Sequence, residues 1–277
     1  MTPDEYCQDK AAKSGSSFYY SFLFLPPDKR RAITALYAFC REVDDIADEC
    51  HDIVVASTKL AWWEAEIRRA FNGAPQHPVT QALQDGIKQY DLPLELFVEI
   101  IDGMRMDLGE VRYADFKSLQ LYCYRVASVV GQLSASIFGY SDRKTLKYAN
   151  DLGMAFQLTN IIRDVGEDAR RDRVYLPQDE LRQFGVSEED IMRGRQTEAF
   201  ARMMAFQEQR AQSYYDSAMA ALPQADRKNQ LTGLIMSAIY RSLLDEIKRD
   251  DFQVLNQRIS LTPIRKLWLA IKTWLRG

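Results

Sequence analysis

In the stretch "NIIRDVGED", Asn160, Asp164 and Asp168 recur at four-residue steps among Ile161, Ile162 and Val165, and in "REVDDIAD" Asp44 and Asp48 repeat that step. Four residues is slightly more than one α-helical turn, so each set directs its oxygens to nearly one side. Around the first helix axis Asp44 falls within about 20° of Ile33 and Tyr37, with Arg41 and Asp48 about 40 to 60° away. Around the second, Gly153 and Gln157 lie within about 20° of Asp164, and Asn160 and Asp168 within about 40°. Leu152, Met154, Phe156, Leu158, Ile162 and Val165 fill most of the remaining circumference. That is the pattern of a buried helix whose one narrow polar stripe faces a cavity or a partner.

Buried carboxylates without partners cost several kcal/mol and also repel one another, so a cation is expected between the stripes. The two histidines, His51 and His77, join neither stripe, which argues against a zinc-type nitrogen or sulfur site. Carboxylate and amide oxygens are ligands of hard cations, and Mg²⁺ takes one or two carboxylates while water and substrate phosphate complete its shell. The expected chemistry is Mg²⁺ binding together with a phosphorylated substrate. A single acidic i, i+4 pair is most often a solvated face. Two stripes that both coincide with core positions, each accompanied by arginine, favour a site. Gly166 disfavours the helix interior. A helix ending there would carry Asp168 off the stripe.

Helices must position these residues, and helical periodicity dominates the chain. After "LPPD", with Asp28 as the expected cap, "KRRAITALYAFCREVDDIADE" places Ile33, Leu36, Tyr37, Cys40 and Val43 on one side. Further helices are expected across roughly 53–71, 79–90, 93–108, 115–139, 142–168, 188–221 and 228–250, separated by turn-rich breaks such as "FNGAPQHP", "GYSD", "YLPQD" and "LPQAD". No break is long enough for an interdomain linker, so residues 1–277 read as one all-α domain. With 47% hydrophobic and 27% charged residues and a net charge of −3, the composition is that of an ordinary folded protein without the basic excess of a nucleic-acid binder. Cys7, Cys40, Cys50 and Cys123 show no CxxC spacing and read as reduced thiols of a cytoplasmic protein. The acidic, polar "MTPDEYCQDK" is unlike a signal peptide, and "FYYSFLFLPP" is too short to span a bilayer as a helix.

The pair "DDIAD" and "DVGED", with "YAFCR" before the first and "QLTNIIRD" leading into the second, resembles the squalene and phytoene synthase family of head-to-head prenyl synthases. The likeness runs from "SGSSFYYSFLFLP" through "YCYRVASVVG" and "RVYLP" to "IYRSLLDEI". Within the family, "LTNIIRDVGEDARRDRVYLPQDEL" and "QRISLTPIRKLW" are most similar to the bacterial presqualene diphosphate synthases of hopanoid biosynthesis. The resemblance implies an isoprenoid-synthase helical bundle around a central cavity, with two farnesyl diphosphates as substrates. It implies that Asp44, Asp48, Asn160, Asp164 and Asp168 hold two or three Mg²⁺ ions that grip diphosphate. Arg41, Arg163, Arg173 and Arg258 are the implied diphosphate-side cations. Tyr37, Tyr122, Tyr175, Tyr240 and Gln157 match positions lining the reaction centre, with Phe18 a further aromatic wall. Where other members place a serine three residues ahead of the motif phenylalanine, this chain has Gly15, flanked by Ser14, Ser16 and Ser17.

An allylic diphosphate ionises when the departing charge is neutralised, which metal ions and guanidinium groups do well. Aromatic faces such as Tyr37 or Phe18 can then hold the allyl cation without attacking it. Attack by the second chain's double bond and loss of a proton give the cyclopropane of presqualene diphosphate. The tyrosines or the released diphosphate can take that proton. NADPH is not expected, since no GxGxxG follows a predicted strand. Rival readings are a phytoene synthase using two C20 diphosphates, a full squalene or dehydrosqualene synthase, and a non-catalytic relative serving as an assembly subunit.

"TPIRKLWLAIKTWLRG", residues 262–277, puts Ile264, Leu267, Trp268, Ile271 and Leu275 on one side and Arg265, Lys266, Lys272 and Arg276 mostly on the others. Such a basic amphipathic helix either docks on its own body, as most do, or rests on an anionic surface such as that of the inner membrane.

Overall fold

The computed structural model describes residues 1–13, 21–22, 24–50, 52–109 and 111–275. Phe18 and Gly15–Ser17 therefore lie outside the described residues. In chain order the helices are α1 (Pro3–Lys13), α2 (Pro27–Glu49), α3 (Ile53–Phe71), α4 (Pro78–Gln89), α5 (Leu94–Met106), α6 (Phe116–Cys123), α7 (Val129–Phe138) and α8 (Lys144–Ala169). They continue with α9 (Gln178–Phe184), α10 (Glu188–Met192), α11 (Glu198–Ala221), α12 (Leu231–Arg249) and α13 (Pro263–Trp274). β1 (Val111–Arg112) and β2 (Arg173–Val174) form one short parallel pair. The all-α expectation holds, and no described helix is long and apolar enough to cross a membrane.

Several boundaries depart from the sequence reading. Asp28 is not the cap of α2: the cap position is Pro26, and Asp28 lies in the first turn, where its charge suits the N-terminal end of the helix dipole. The single helix expected at 115–139 contains a π turn at Tyr124–Ser128, an insertion often found at functional sites. The helix expected at 188–221 stops at Met192 and restarts at Glu198. Gly194 takes φ +64° there, a value that glycine adopts without the usual Cβ penalty, and Thr197 caps α11 by accepting from the Phe200 N–H at 3.1 Å. Helices α1 and α9 were not anticipated.

Two clusters of buried apolar side chains form the core. One gathers α1–α5 and α7, the other α6, α8, α11 and α12, and Tyr124 and Val126 of the π turn pack against both. Helix α8 is the axis of the second cluster, 26 residues buried on most sides. It does not end at Gly166. A Cβ at that position would overlap the Leu255 carbonyl oxygen, so glycine is needed for close approach of the loop that carries Arg258, and the helix continues through Asp168. Gly166→Ala is expected to cost about 1 to 3 kcal/mol through overpacking, measured by urea denaturation, and to lower turnover as that loop is displaced.

Candidate active site

Both acidic stripes face one polar cavity of about 520 Å³. Tyr37, Arg41, Asp44 and Asp48 reach it from α2, and Gln157, Asn160, Arg163, Asp164 and Asp168 from α8. Arg173 enters from β2 and Tyr175 from the residue just after it, Tyr122 from α6, Tyr240 from α12 and Arg258 from the loop after α12. Every site residue expected from the sequence lines this cavity except Phe18, which lies outside the described residues. The β1–β2 pair explains part of the placement: alternation along an extended chain turns Arg173 and Tyr175 to the same side, while Val174 between them is buried. Arg173 Nη2 also donates to Ala47 O at 2.7 Å, fastening β2 to the C-terminal end of α2.

The carboxylates are held largely by arginine. Arg41 donates to Asp44 at 2.5 Å and also pairs with Asp45. Asp48 sits between Arg173 at 2.7 Å and Arg171 at 3.1 Å. Asp164 accepts from Arg163 Nε at 2.7 Å and Arg258 Nε at 2.9 Å. Burial raises the Asp164 pKa, but the two guanidiniums outweigh it and hold the carboxyl below its usual range. Asp44 is pushed up to about 6 by burial, with Asp48, Asp107 and Asp45 repelling its charge against the pull of Arg41. Asp168 has no ion-pair partner among the described residues. Burial first, and then the charges of Asp164, Asp107 and Glu167 against Arg173, push it up to about 8.

These features fit a hard cation bound with an anionic ligand. Asn160 Oδ1 is buried without a hydrogen-bond partner, while its Nδ2 donates to Gln157 Oε1 at 3.4 Å. The donors on the two stripes are all oxygens. Among the described residues no three acidic, histidine or cysteine side chains already converge to ion-binding distance. An ion at this site would draw the rest of its shell from ligand oxygens and water, as Mg²⁺ commonly does.

Residues that the sequence reading missed also line the cavity, including Asp107, Arg171, Glu167 and Lys266. Asp107 is the most consequential. It caps α5 and is buried, accepting from Tyr122 Oη at 2.8 Å and Tyr175 Oη at 2.7 Å. The rings of these two tyrosines stack at 5.2 Å. Burial pushes Asp107 up to about 6, although both phenol hydrogen bonds pull the other way. The signal for it was present: Ile100, Met104 and Asp107 continue one helical stripe, as Ile33, Tyr37 and Asp44 do.

Behind the polar cavity lies an apolar chamber of about 210 Å³. The two share Tyr37, Cys40, Val126, Gln157 and Asn160, so they adjoin across these residues. Ile33, Leu36, Phe156 and Met236 wall the chamber, and Phe138 and Tyr148 border it deeper along α7 and α8. A charged cavity thus lies next to an apolar pocket suited to a hydrocarbon chain.

Comparison with known proteins agrees with this architecture. A family model described as squalene/phytoene synthase matches residues 11–265. Phytoene synthase 2, chloroplastic, of Solanum lycopersicum is 38% identical over 267 residues, covering 94% of this chain and 86% of its own length. The chain spans only 63–65% of the length of several other chloroplastic phytoene synthases. A crystal structure of a dehydrosqualene synthase in complex with ligand superposes with a TM-score of 0.90 at 26% identity, over 99% of this chain and 96% of that one. Squalene synthase HpnC from Alicyclobacillus acidocaldarius superposes with a TM-score of 0.79 at 31% identity, over 90% and 94%. With its two aspartate stripes facing one cavity and this match along nearly its whole length, the chain belongs to the squalene/phytoene synthase family, whose members are prenyltransferases.

Proposed function

We propose that the protein is a Mg²⁺-dependent transferase that joins two farnesyl diphosphates head to head into presqualene diphosphate, releasing diphosphate and a proton. The observation that carries this reading is the adjacency of the arginine- and aspartate-lined cavity and the apolar chamber, which have Tyr37, Gln157 and Asn160 as common wall residues. Asp44, Asp48, Asn160, Asp164 and Asp168 are the residues that would hold the ions. Bound there, Mg²⁺ supplies Lewis-acid neutralisation of the diphosphate's charge.

The chain's own groups account for the rest. Arg41, Arg163, Arg173 and Arg258 offer planar donors to diphosphate oxygens, and each already pairs with a carboxylate that a bound ion would relieve of that partner. The C1–O bond of one substrate breaks, its electron pair leaving with diphosphate. The second substrate's C2=C3 double bond attacks the freed C1, and loss of a proton from that carbon closes the cyclopropane. Tyr37 and Tyr240 present aromatic faces to the cation. Burial keeps the Tyr122 and Tyr175 phenols well above their ordinary pKa and raises that of Tyr240 against the pull of Arg163, so they remain neutral and poor nucleophiles. The chamber walls exclude the water that would quench the cation.

A C30 product accords with the structural neighbours named for squalene and dehydrosqualene. The curated relatives named phytoene synthase favour a second reading, two C20 substrates giving a C40 product. Purified protein is incubated with Mg²⁺ and each prenyl diphosphate, with and without NADPH, and the products are identified by mass spectrometry. A cyclopropyl C30 diphosphate accumulating in both conditions is expected. Hydrocarbon formed only with NADPH points instead to a complete squalene synthase, and turnover of the C20 substrate alone to a phytoene synthase.

A further inference from the structure

Helix α13 is amphipathic in the reverse of the usual sense. The side it turns to the body carries Ala270, which is buried, and Leu269, packed against the core. Arg265 fastens that side to α12, donating to Glu246 at 2.6 Å and to Ser242 at 3.1 Å. The side turned outward carries Ile264, 82% exposed, Leu267, Trp268, Ile271, Trp274 and Leu275, 71% exposed. The expectation that this face packs on the protein itself is thus not met. Phe24, also exposed, extends the strip, its ring stacked on Trp274 at 6.3 Å. A continuous exposed apolar strip marks an interaction surface.

Charge and position indicate what covers it. From residue 252 to the end the sequence has five basic residues and no acidic one, in a chain whose net charge is −3. A second copy docking face to face would bring this basic segment against itself. Anionic lipid complements it, with tryptophan and leucine entering the boundary between headgroups and acyl chains while Lys266 and Lys272, which have no ion-pair partner among the described residues, meet the phosphates. The same segment walls the cavity mouth, since Arg258, Ser260, Leu261 and Lys266 line it.

We propose that α13 seats the protein on the surface of an anionic bilayer, with the mouth of the polar cavity beside the lipid. The surface itself is independent of the reaction proposed above. Its benefit, a short path for a prenyl chain between bilayer and cavity, rests on that reading.

The full-length protein is floated with phosphatidylglycerol vesicles and, separately, with phosphatidylcholine vesicles, in the absence of substrate. The wild type is expected to float with the anionic vesicles. The combined variant Ile264→Ser, Trp268→Ser and Ile271→Ser is expected to bind them at least tenfold less, with unchanged circular dichroism because these side chains are exposed. Flotation of the variant equal to wild type overturns the proposal, as does equal wild-type binding to both lipids or to neither. So does loss of binding on Val54→Asp instead, in the other exposed apolar cluster at Ile53–Val55. A wild-type dimer that the triple variant converts to monomer, with no flotation of either, assigns the face to a second copy and likewise overturns it. Flotation needs no turnover, so failure of the enzymatic reading leaves this test intact.

Discussion

Asp168→Asn is expected to stabilise the ligand-free protein while removing most of its Mg²⁺-dependent turnover. The folded protein pushes Asp168 up to about 8, whereas an unfolded chain leaves an aspartate near about 3.9. The folded state therefore binds this proton more tightly than the unfolded state. The stability the group contributes is complete below the unfolded value and is lost as pH rises towards 8. At pH 8 the carboxylate is a cost, and asparagine, of the same shape and neutral, removes it. A gain of about 1 to 2 kcal/mol, a few degrees in Tm, is expected, together with a flatter dependence of stability on pH between 5 and 8. Removing one anionic donor should lower kcat by about 10²- to 10³-fold. Thermal unfolding with and without Mg²⁺ and inorganic diphosphate separates the two effects: the variant should start higher and gain less from the additions. A variant that unfolds earlier than wild type at pH 8, or that keeps full turnover, removes Asp168 from the site.

The stripes were legible because they violate an otherwise consistent pattern. A helix buried on nearly every side cannot hide Asn160, Asp164 and Asp168 without a cavity, and this constraint is local enough to read from spacing alone. The placement of Tyr37, Tyr122, Tyr175 and Tyr240 at the cavity, by contrast, was expected from the wording of the family motifs. No periodicity distinguishes a tyrosine that lines a cavity from one that packs in the core. Asp107 shows a stripe with Ile100 and Met104 in the sequence, but its link to Tyr122 and Tyr175 does not show, because these partners come 15 and 68 positions later in the chain. The β1–β2 pair is too short to show a period of two, yet it turns Arg173 and Tyr175 into the site. The orientation of α13 was illegible for a different reason. Its wheel gives an apolar side, but Ser242 and Glu246 on α12 decide which side meets the body. Gly166 misled in the opposite direction: its low helix propensity is real, and the close approach of Leu255 overrides it.

Asp107→Asn is expected to lower kcat by about 10²-fold or more, within the range for positioned acid–base groups, and to erase the acid limb of the pH profile. Tyr122 and Tyr175 donate their own protons to Asp107, which leaves phenol oxygen lone pairs available at the cavity wall. Both phenols are too basic to ionise in place. A proton arriving at either oxygen can stay only if the phenol's original proton passes to Asp107. That transfer needs the carboxylate form, which prevails above about 6, so wild-type turnover should fall as pH drops through that value. Asparagine is uncharged throughout and cannot accept the proton. Asp44 titrates in the same region, so the profile is taken at saturating Mg²⁺, where ligation would keep that carboxylate ionised. Asparagine retains one acceptor oxygen for the tyrosines, and circular dichroism and KM should change little. If the variant keeps the acid limb and turns over within about twofold of wild type, Asp107 only supports the two rings, and the proton must leave by the other route, with the departing diphosphate.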